Sequence, residues 1–145
     1  MQPFTYTKAR SAGDAVRAVS DGGPGARFLA GGTTLYDLMK LNVERPTSIV
    51  DVTGIKELGR IDTSGRDELI FGALARMSEV AADSHIVSGY PALSESLWQA
   101  ASQQLRNMAT VGGNRLGHCA CLLRCQDQCA RPPWRAHHRA GASAP

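Results

Sequence analysis

Leu29-Ala30-Gly31-Gly32-Thr33-Thr34-Leu35 is the stretch that decides the fold of this chain. A short strand, Arg27–Ala30, runs into a glycine pair, two hydroxyl residues follow, and a helix leaves. Leu35, Leu38, Met39 and Leu41 mark one face of that helix at helical spacing. Glycines accept positive φ and let backbone come close to a ligand. Successive N–H groups in such a turn make a concave anion site, and the helix N-terminus behind them adds a favourable dipole. Thr33 and Thr34 can cap the helix or donate to a phosphate oxygen, so the turn suits a pyrophosphate. It is not a Walker loop, because no Lys follows the glycines, and it is not G-x-G-x-x-G. A plain strand-to-helix turn, with glycines serving only the backbone, explains the same residues equally well.

Outward from this turn the elements alternate. Phe4–Thr7 reads as a first strand. Ser11, with Asp14 three residues on, opens a helix whose small apolar face is Ala15, Val16, Ala18 and Val19. Asp21-Gly22-Gly23-Pro24-Gly25 stops it. Beyond Pro46, Thr47–Val52 is a β-branched strand. Ile55–Leu58 turns, and Gly59–Asp62 with Glu68–Gly72 forms a hairpin across Thr63–Asp67. Ser78 caps a brief helix through Ala82. A longer helix runs from Pro91 through Ala101, with Leu93, Leu97, Trp98 and Ala101 on its buried side. Met108–Val111 is extended and ends in Gly112-Gly113-Asn114. The order predicts a mixed α+β domain. His85 reads as a surface residue and Asp37 as a helix charge.

The chain has 145 residues, enough for one core, and is 43% hydrophobic. No apolar run is long enough to cross a membrane. The N-terminus lacks an apolar signal core, so a cytoplasmic start is expected, or export alongside a partner. The net charge of +3 is uneven: residues 1–114 carry −1 and residues 115–145 carry +4. All four cysteines fall in the tail, which has no Lys, Glu, Val, Ile, Phe, Tyr, Thr or Met. Its five arginines accompany one large aromatic, Trp134, and offer no stacking platform for nucleic acid.

The second informative stretch is Thr110-Val111-Gly112-Gly113-Asn114. Again a strand meets paired glycines, here with an Asn that offers donors and an acceptor to a ribose or a ring edge. Two such turns about 80 residues apart can converge on one extended ligand. Arg106 and Asn107, just before the second turn, are further candidates for cofactor or partner contact.

Ala30–Leu35 followed by Thr110–Asn114 resembles the two FAD loops of medium subunits of the xanthine dehydrogenase and aldehyde oxidoreductase family of molybdenum hydroxylases. Asp37–Leu41, Ile70–Met77 and Ala100–Asn107 extend the likeness over residues 1 to 116. The resemblance implies the FAD-binding fold of the p-cresol methylhydroxylase and vanillyl-alcohol oxidase type. It implies an N-terminal subdomain at 1–57 and part of a second at 58–116. It implies FAD contact through Arg27, Phe28, Leu29, Ala30, Gly31, Gly32, Thr33, Thr34 and Leu35. It implies the same for Thr110, Gly112, Gly113 and Asn114. Partners would be a small subunit with [2Fe-2S] clusters and a large subunit with the molybdenum cofactor. The medium subunit would pass electrons to an external acceptor, so no catalytic acid, base or nucleophile is assigned.

The chain departs from the family in length and in residues 117–145. Family members run to roughly twice this length, which predicts a truncated subunit, exposure of some of Leu93, Leu97 and Trp98, poor solubility, and weak or absent FAD binding. The leading reading of the tail is out-of-frame translation. A second makes Cys119, Cys121, Cys125 and Cys129 ligands of a [4Fe-4S] cluster or zinc, although the spacing matches neither common pattern. A third leaves them free or in disulfides. The alternatives to a flavin subunit are a small Cys/His metal-binding or interaction module and a non-functional gene remnant.

Overall fold

The computed structural model describes residues 2–65 and 68–114. The chain divides into two units, Met1–Asn114 and Arg115–Pro145. The four cysteines and five arginines of the tail lie outside the described residues, and everything below concerns the first unit.

Three parallel strands open the fold: β1 (Thr5–Lys8), β2 (Ala26–Leu29) and β3 (Ser48–Asp51), in the order β1-β3-β2. Thr5 pairs with Ser48 on one side of β3 and Ala26 pairs with Ser48 on the other. A central parallel strand is covered on both faces and reads as continuously apolar. Accordingly Ile49, Val50 and Val52 are buried, Val50 completely. Helix α1 (Ala12–Gly22) links β1 to β2, and helix α2 (Thr33–Lys40) links β2 to β3.

Ser11 caps α1 as its sequence predicts, its hydroxyl accepting from the Asp14 N–H at 3.1 Å. The glycine-rich stop holds too: Gly23 takes φ 63° and a 3₁₀ turn, Gly23–Gly25, leads into β2. Ala15 faces the core with Val50, Val52, Ile55 and Ala9. Val16 is exposed, and so is Leu41, which lies beyond the end of α2. Both depart from the expected apolar faces.

After β3 a 3₁₀ turn, Lys56–Gly59, precedes the hairpin β4 (Ile61–Asp62) and β5 (Ile70–Phe71), shorter than the sequence suggests. Four helices follow: α3 (Met77–Ala82), α4 (Ser84–Gly89), α5 (Pro91–Gln99) and α6 (Gln103–Met108). A second core cluster, Ala75, Val80 and Ile86 with Ile61, Phe71, Leu93, Leu97 and Val111, lies among them.

Four expectations need correction here. Ser78 does not cap α3; the helix starts one residue earlier, and the Met77 N–H is taken by the Ala109 carbonyl at 3.0 Å. Helices α4 and α6 were not anticipated. Asp83 caps the first through the N–H groups of His85 and Ile86, and Ser102 caps the second through that of Leu105. The extended piece expected at Met108–Val111 shrinks to Ala109–Thr110, because α6 runs through Met108 and the chain turns helical again at Val111.

The fourth correction concerns the buried side of α5. Leu93 and Leu97 do pack inward, and between them Ser94 is buried, its hydroxyl donating to the Ala81 carbonyl at 2.7 Å. Trp98 instead stands 41% exposed, with the Arg106 guanidinium 5.1 Å above its ring. Ala101 is outside the helix, exposed, at φ 58°.

Candidate flavin site

The two glycine turns meet. A Cβ built on Gly31 would lie 2.0 Å from the Met108 carbonyl oxygen and 3.1 Å from the Ala109 Cα. Only glycine tolerates such an approach of two backbones. The first turn therefore rests directly on the residues that enter the second.

The first turn is built by β2 and α2. Gly32 adopts φ 74° at the N-cap position of α2, a left-handed conformation that costs any other residue energy. No side chain caps this helix among the described residues. The Tyr36 N–H is satisfied by the Gly32 carbonyl at 2.9 Å. Thr33 and Thr34 make no side-chain hydrogen bond among the described residues, which leaves both hydroxyls available.

The second turn is held by a strap. Residues 73–77 run antiparallel to residues 109–112, with Arg76 directly opposite Thr110. The N–H groups of Met77, Val111 and Gly112 donate to the carbonyls of Ala109, Ala75 and Ala73 at 2.9–3.0 Å. Thr110 is buried and its hydroxyl accepts from the Gly113 N–H at 3.2 Å, capping the turn that follows. The Asn114 N–H donates to the Thr110 carbonyl at 2.8 Å.

At the meeting point lies a cleft of about 440 Å³, within the range of small-molecule sites. Of the residues expected to touch a cofactor, Ala30, Gly31 and Thr110 line it, and so does the candidate Asn107. Gly32, Thr33, Thr34 and Leu35 follow Gly31 into α2, and Gly112, Gly113 and Asn114 follow Thr110; none of these lines the cleft, nor does Leu29. Arg27 and Phe28 are not brought to the cleft. The Arg27 side chain bonds the Glu44 carboxylate and the carbonyls of Pro24 and Ala26, and Phe28 is half exposed. Arg106 is likewise committed elsewhere, donating to the carbonyls of Ala100 and Ala101.

The sequence reading missed Thr53, Lys56, Arg76 and Glu79, all of which line the cleft. Arg76 stood within a stretch quoted for its likeness and Lys56 within a turn, and neither pattern assigns a role. The Thr53 turn is set by Asp51, which is buried at the end of β3 and accepts from the Thr53 N–H at 2.8 Å and from the Tyr6 hydroxyl. Burial pushes the Asp51 carboxyl up, but the hydrogen bonds from Tyr6 and Thr53 outweigh it and hold the group below the usual carboxylate range. Among the described residues no group of three His, Cys, Asp or Glu could hold a metal ion. No described helix is long and apolar enough to cross a membrane.

A β-α-β-α-β parallel sheet with one paired-glycine turn at a strand-to-helix junction, resting on the residues that enter a second, is an arrangement able to hold a phosphate-bearing ligand. Residues 2–125 match the family described as the FAD binding domain in molybdopterin dehydrogenase, and the chain belongs to that family. It is 41% identical over 121 residues to the aldehyde oxidoreductase FAD-binding subunit of Escherichia coli (strain K12), covering 83% of this chain and 37% of that protein. It is 32% identical to the carbon monoxide dehydrogenase medium chain of Hydrogenophaga pseudoflava, covering 77% of this chain and 38% of that one.

Among solved structures, carbon monoxide dehydrogenase from Hydrogenophaga pseudoflava superposes with a TM-score of 0.74 at 31% identity, over 79% of this chain and 39% of that one. Quinoline 2-oxidoreductase from Pseudomonas putida 86 gives 0.71 at 29% identity, over 77% and 39%. The chain thus spans less than half the length of these relatives.

The residues present fit FAD. A left-handed Gly32 at the start of α2, two available hydroxyls and a cleft with two cations together suit an extended, anionic dinucleotide.

Proposed function

We propose that this chain carries the FAD-gripping part of an electron-transfer flavin subunit in a molybdenum-hydroxylase-type complex. The observation that carries the reading is the contact of Gly31 with the Met108–Ala109 backbone, which sets the first glycine turn against the residues that enter the second. The relatives are named as FAD-binding or medium subunits of aldehyde, carbon monoxide and xanthine dehydrogenases, which supports the same role. FAD, when bound, supplies the redox chemistry, taking electrons from one partner and giving them to another.

The chain's own residues bind and orient. The first turn, with Gly31, Gly32, Thr33 and Thr34, would hold the pyrophosphate through backbone N–H groups and hydroxyls. Thr110, Gly112, Gly113 and Asn114 would hold the second side of the dinucleotide. In this reading residues 1–57 form the first subdomain of the p-cresol methylhydroxylase type of FAD fold, and residues 58–116 begin the second. A small iron-sulfur subunit with [2Fe-2S] clusters would deliver electrons, and a large subunit with the molybdenum cofactor would oxidise the substrate.

Titrating the full chain with FAD, while following flavin fluorescence and thermal unfolding, tests the reading. A saturable fluorescence change together with a rise in Tm is expected, since a ligand that binds only the folded state stabilises it. Fluorescence and Tm that stay constant up to sub-millimolar FAD would overturn it.

A further inference from the structure

Lys56 and Arg76 line the cleft, both are exposed, and neither has an ion pair or a side-chain hydrogen bond among the described residues. Arg17, Arg27 and Arg60 each meet a carboxylate, whereas Lys8, Arg10, Lys40 and Arg45 form no ion pair among the described residues; what distinguishes Lys56 and Arg76 is that they line one cleft. Glu79 also lines the cleft, yet forms no ion pair with either cation. Two cations facing one cleft, with a single carboxylate that engages neither, leave an excess of positive charge where the glycine turns meet.

Their placement is not a matter of side-chain length. On the 73–77 strap, Ala75 and Met77 are buried, so Arg76 between them projects to the opposite face. Residues directly opposite across an antiparallel pair share a face, and Arg76 lies opposite Thr110. The guanidinium is thereby set beside the second turn. Lys56 opens the 3₁₀ turn after β3, two residues beyond the Thr53-Gly54 corner that Asp51 fixes. Two different backbone segments thus deliver one cation each to the same cleft.

We propose that Lys56 and Arg76 are the paired counter-charges for a diphosphate, so that the cleft selects a diphosphate-bearing flavin over a flavin without phosphate. The identity of the ligand as FAD rests on the flavin reading above; the recognition of a diphosphate rests on the cleft itself. A guanidinium and an ammonium differ in their use here. Arginine supplies a planar fork to two oxygens, and lysine supplies a point charge.

The test titrates the full chain with three probes: inorganic pyrophosphate, FAD and riboflavin. Lys56→Gln and Arg76→Gln are each expected to weaken pyrophosphate and FAD about tenfold, and the double variant about a hundredfold, as for charge-assisted hydrogen bonds. Riboflavin binding stays unchanged, Lys56→Arg keeps most of the pyrophosphate affinity, and Arg17→Gln, on α1, changes nothing. Added salt weakens pyrophosphate in the wild type and has less effect in the double variant. Both cations are exposed, so the variants should keep the wild-type circular dichroism.

Pyrophosphate that fails to bind the wild type, or binds the double variant equally well, overturns the proposal. If FAD binds the double variant as tightly as the wild type, the counter-charge pair is wrong and the flavin reading survives. If pyrophosphate depends on both cations while FAD does not bind, the anion site survives and the flavin reading fails.

Discussion

At Gly31-Gly32 the chain needs two properties of glycine, whereas at Gly112-Gly113 it needs one. Gly31 admits the Met108 carbonyl where a Cβ would be 2.0 Å away, and Gly32 holds φ 74°. In the second turn neither glycine has positive φ. Gly112 only makes room for Ala73, at 2.8 Å from a built Cβ, and Gly113 lies under the Thr110 hydroxyl. The same dipeptide therefore solves a conformational problem in one place and a packing problem in the other. The first turn has no side-chain cap among the described residues, while the second is pinned by backbone pairing to residues 73–77 and by Thr110.

The sharpest way to break this comparison is Gly31→Ala. Its methyl group meets backbone, which cannot rotate away, so about 3 kcal/mol of stability should be lost, at the upper end of overpacking costs. Urea denaturation measures it, and a loss no larger than that of Gly32→Ala would mean the turns do not depend on their contact. Gly112→Ala should cost about 2 kcal/mol for the same reason against Ala73, whose nearest atoms lie at 2.8 Å rather than the 2.0 Å met at Gly31. Gly32→Ala should cost about 1–2 kcal/mol from the left-handed backbone alone. Gly32→Asn should recover part of that, because Asn tolerates this region, and no such recovery is expected at Gly112. Thr110→Ala removes a cap and should cost ~1 kcal/mol.

The smallest effect sits at the edge of the sheet. Tyr6→Phe removes the hydroxyl that donates to Asp51. The folded Asp51 carboxyl is held below its ordinary value, so its contribution is present above the unfolded carboxylate pKa of about 3.9 and is lost as pH falls through the folded value. The gap in stability between wild type and Tyr6→Phe should be full at neutral pH and close in acid. A gap that stays constant from neutral pH into acid would show that Tyr6 acts by packing instead.

Much of this was legible in the residues. The five strands and the helices at 12–22, 33–40, 77–82 and 91–99 follow from periodicity and from Ser11, the Asp21–Gly25 stop and Pro91. Both glycine turns are visible in the sequence, and the structure brings the first against the residues that enter the second. The helices at 84–89 and 103–108 were missed, although Asp83 and Ser102 carry ordinary capping chemistry. Each is only six residues long, too short for periodicity to rise above its surroundings. Trp98 reads as core from its helical spacing, yet it is exposed, in line with the expectation for a truncated subunit, and only the fold brings Arg106 over its ring. Lys56 and Arg76 could not have been chosen in advance. A lone cation in a turn or strap acquires meaning only once the segment after β3, the strap, Gly31 and Thr110 are folded around one cleft.

The strand order β1-β3-β2 bears on how the chain leaves the ribosome. Both strands made first flank the one made last, so neither has a hydrogen-bonding neighbour until Ser48–Asp51 emerges. Until then the Gly31-Gly32 turn hangs on an unpaired strand, and the residues it will rest on, Met108 and Ala109, are some sixty residues from being synthesised. Non-local pairings of this kind are slow to form and leave strand edges open meanwhile. The nascent chain therefore passes through a window, bounded by the arrival of β3, in which the edges of β1 and β2 have no partner in this sheet.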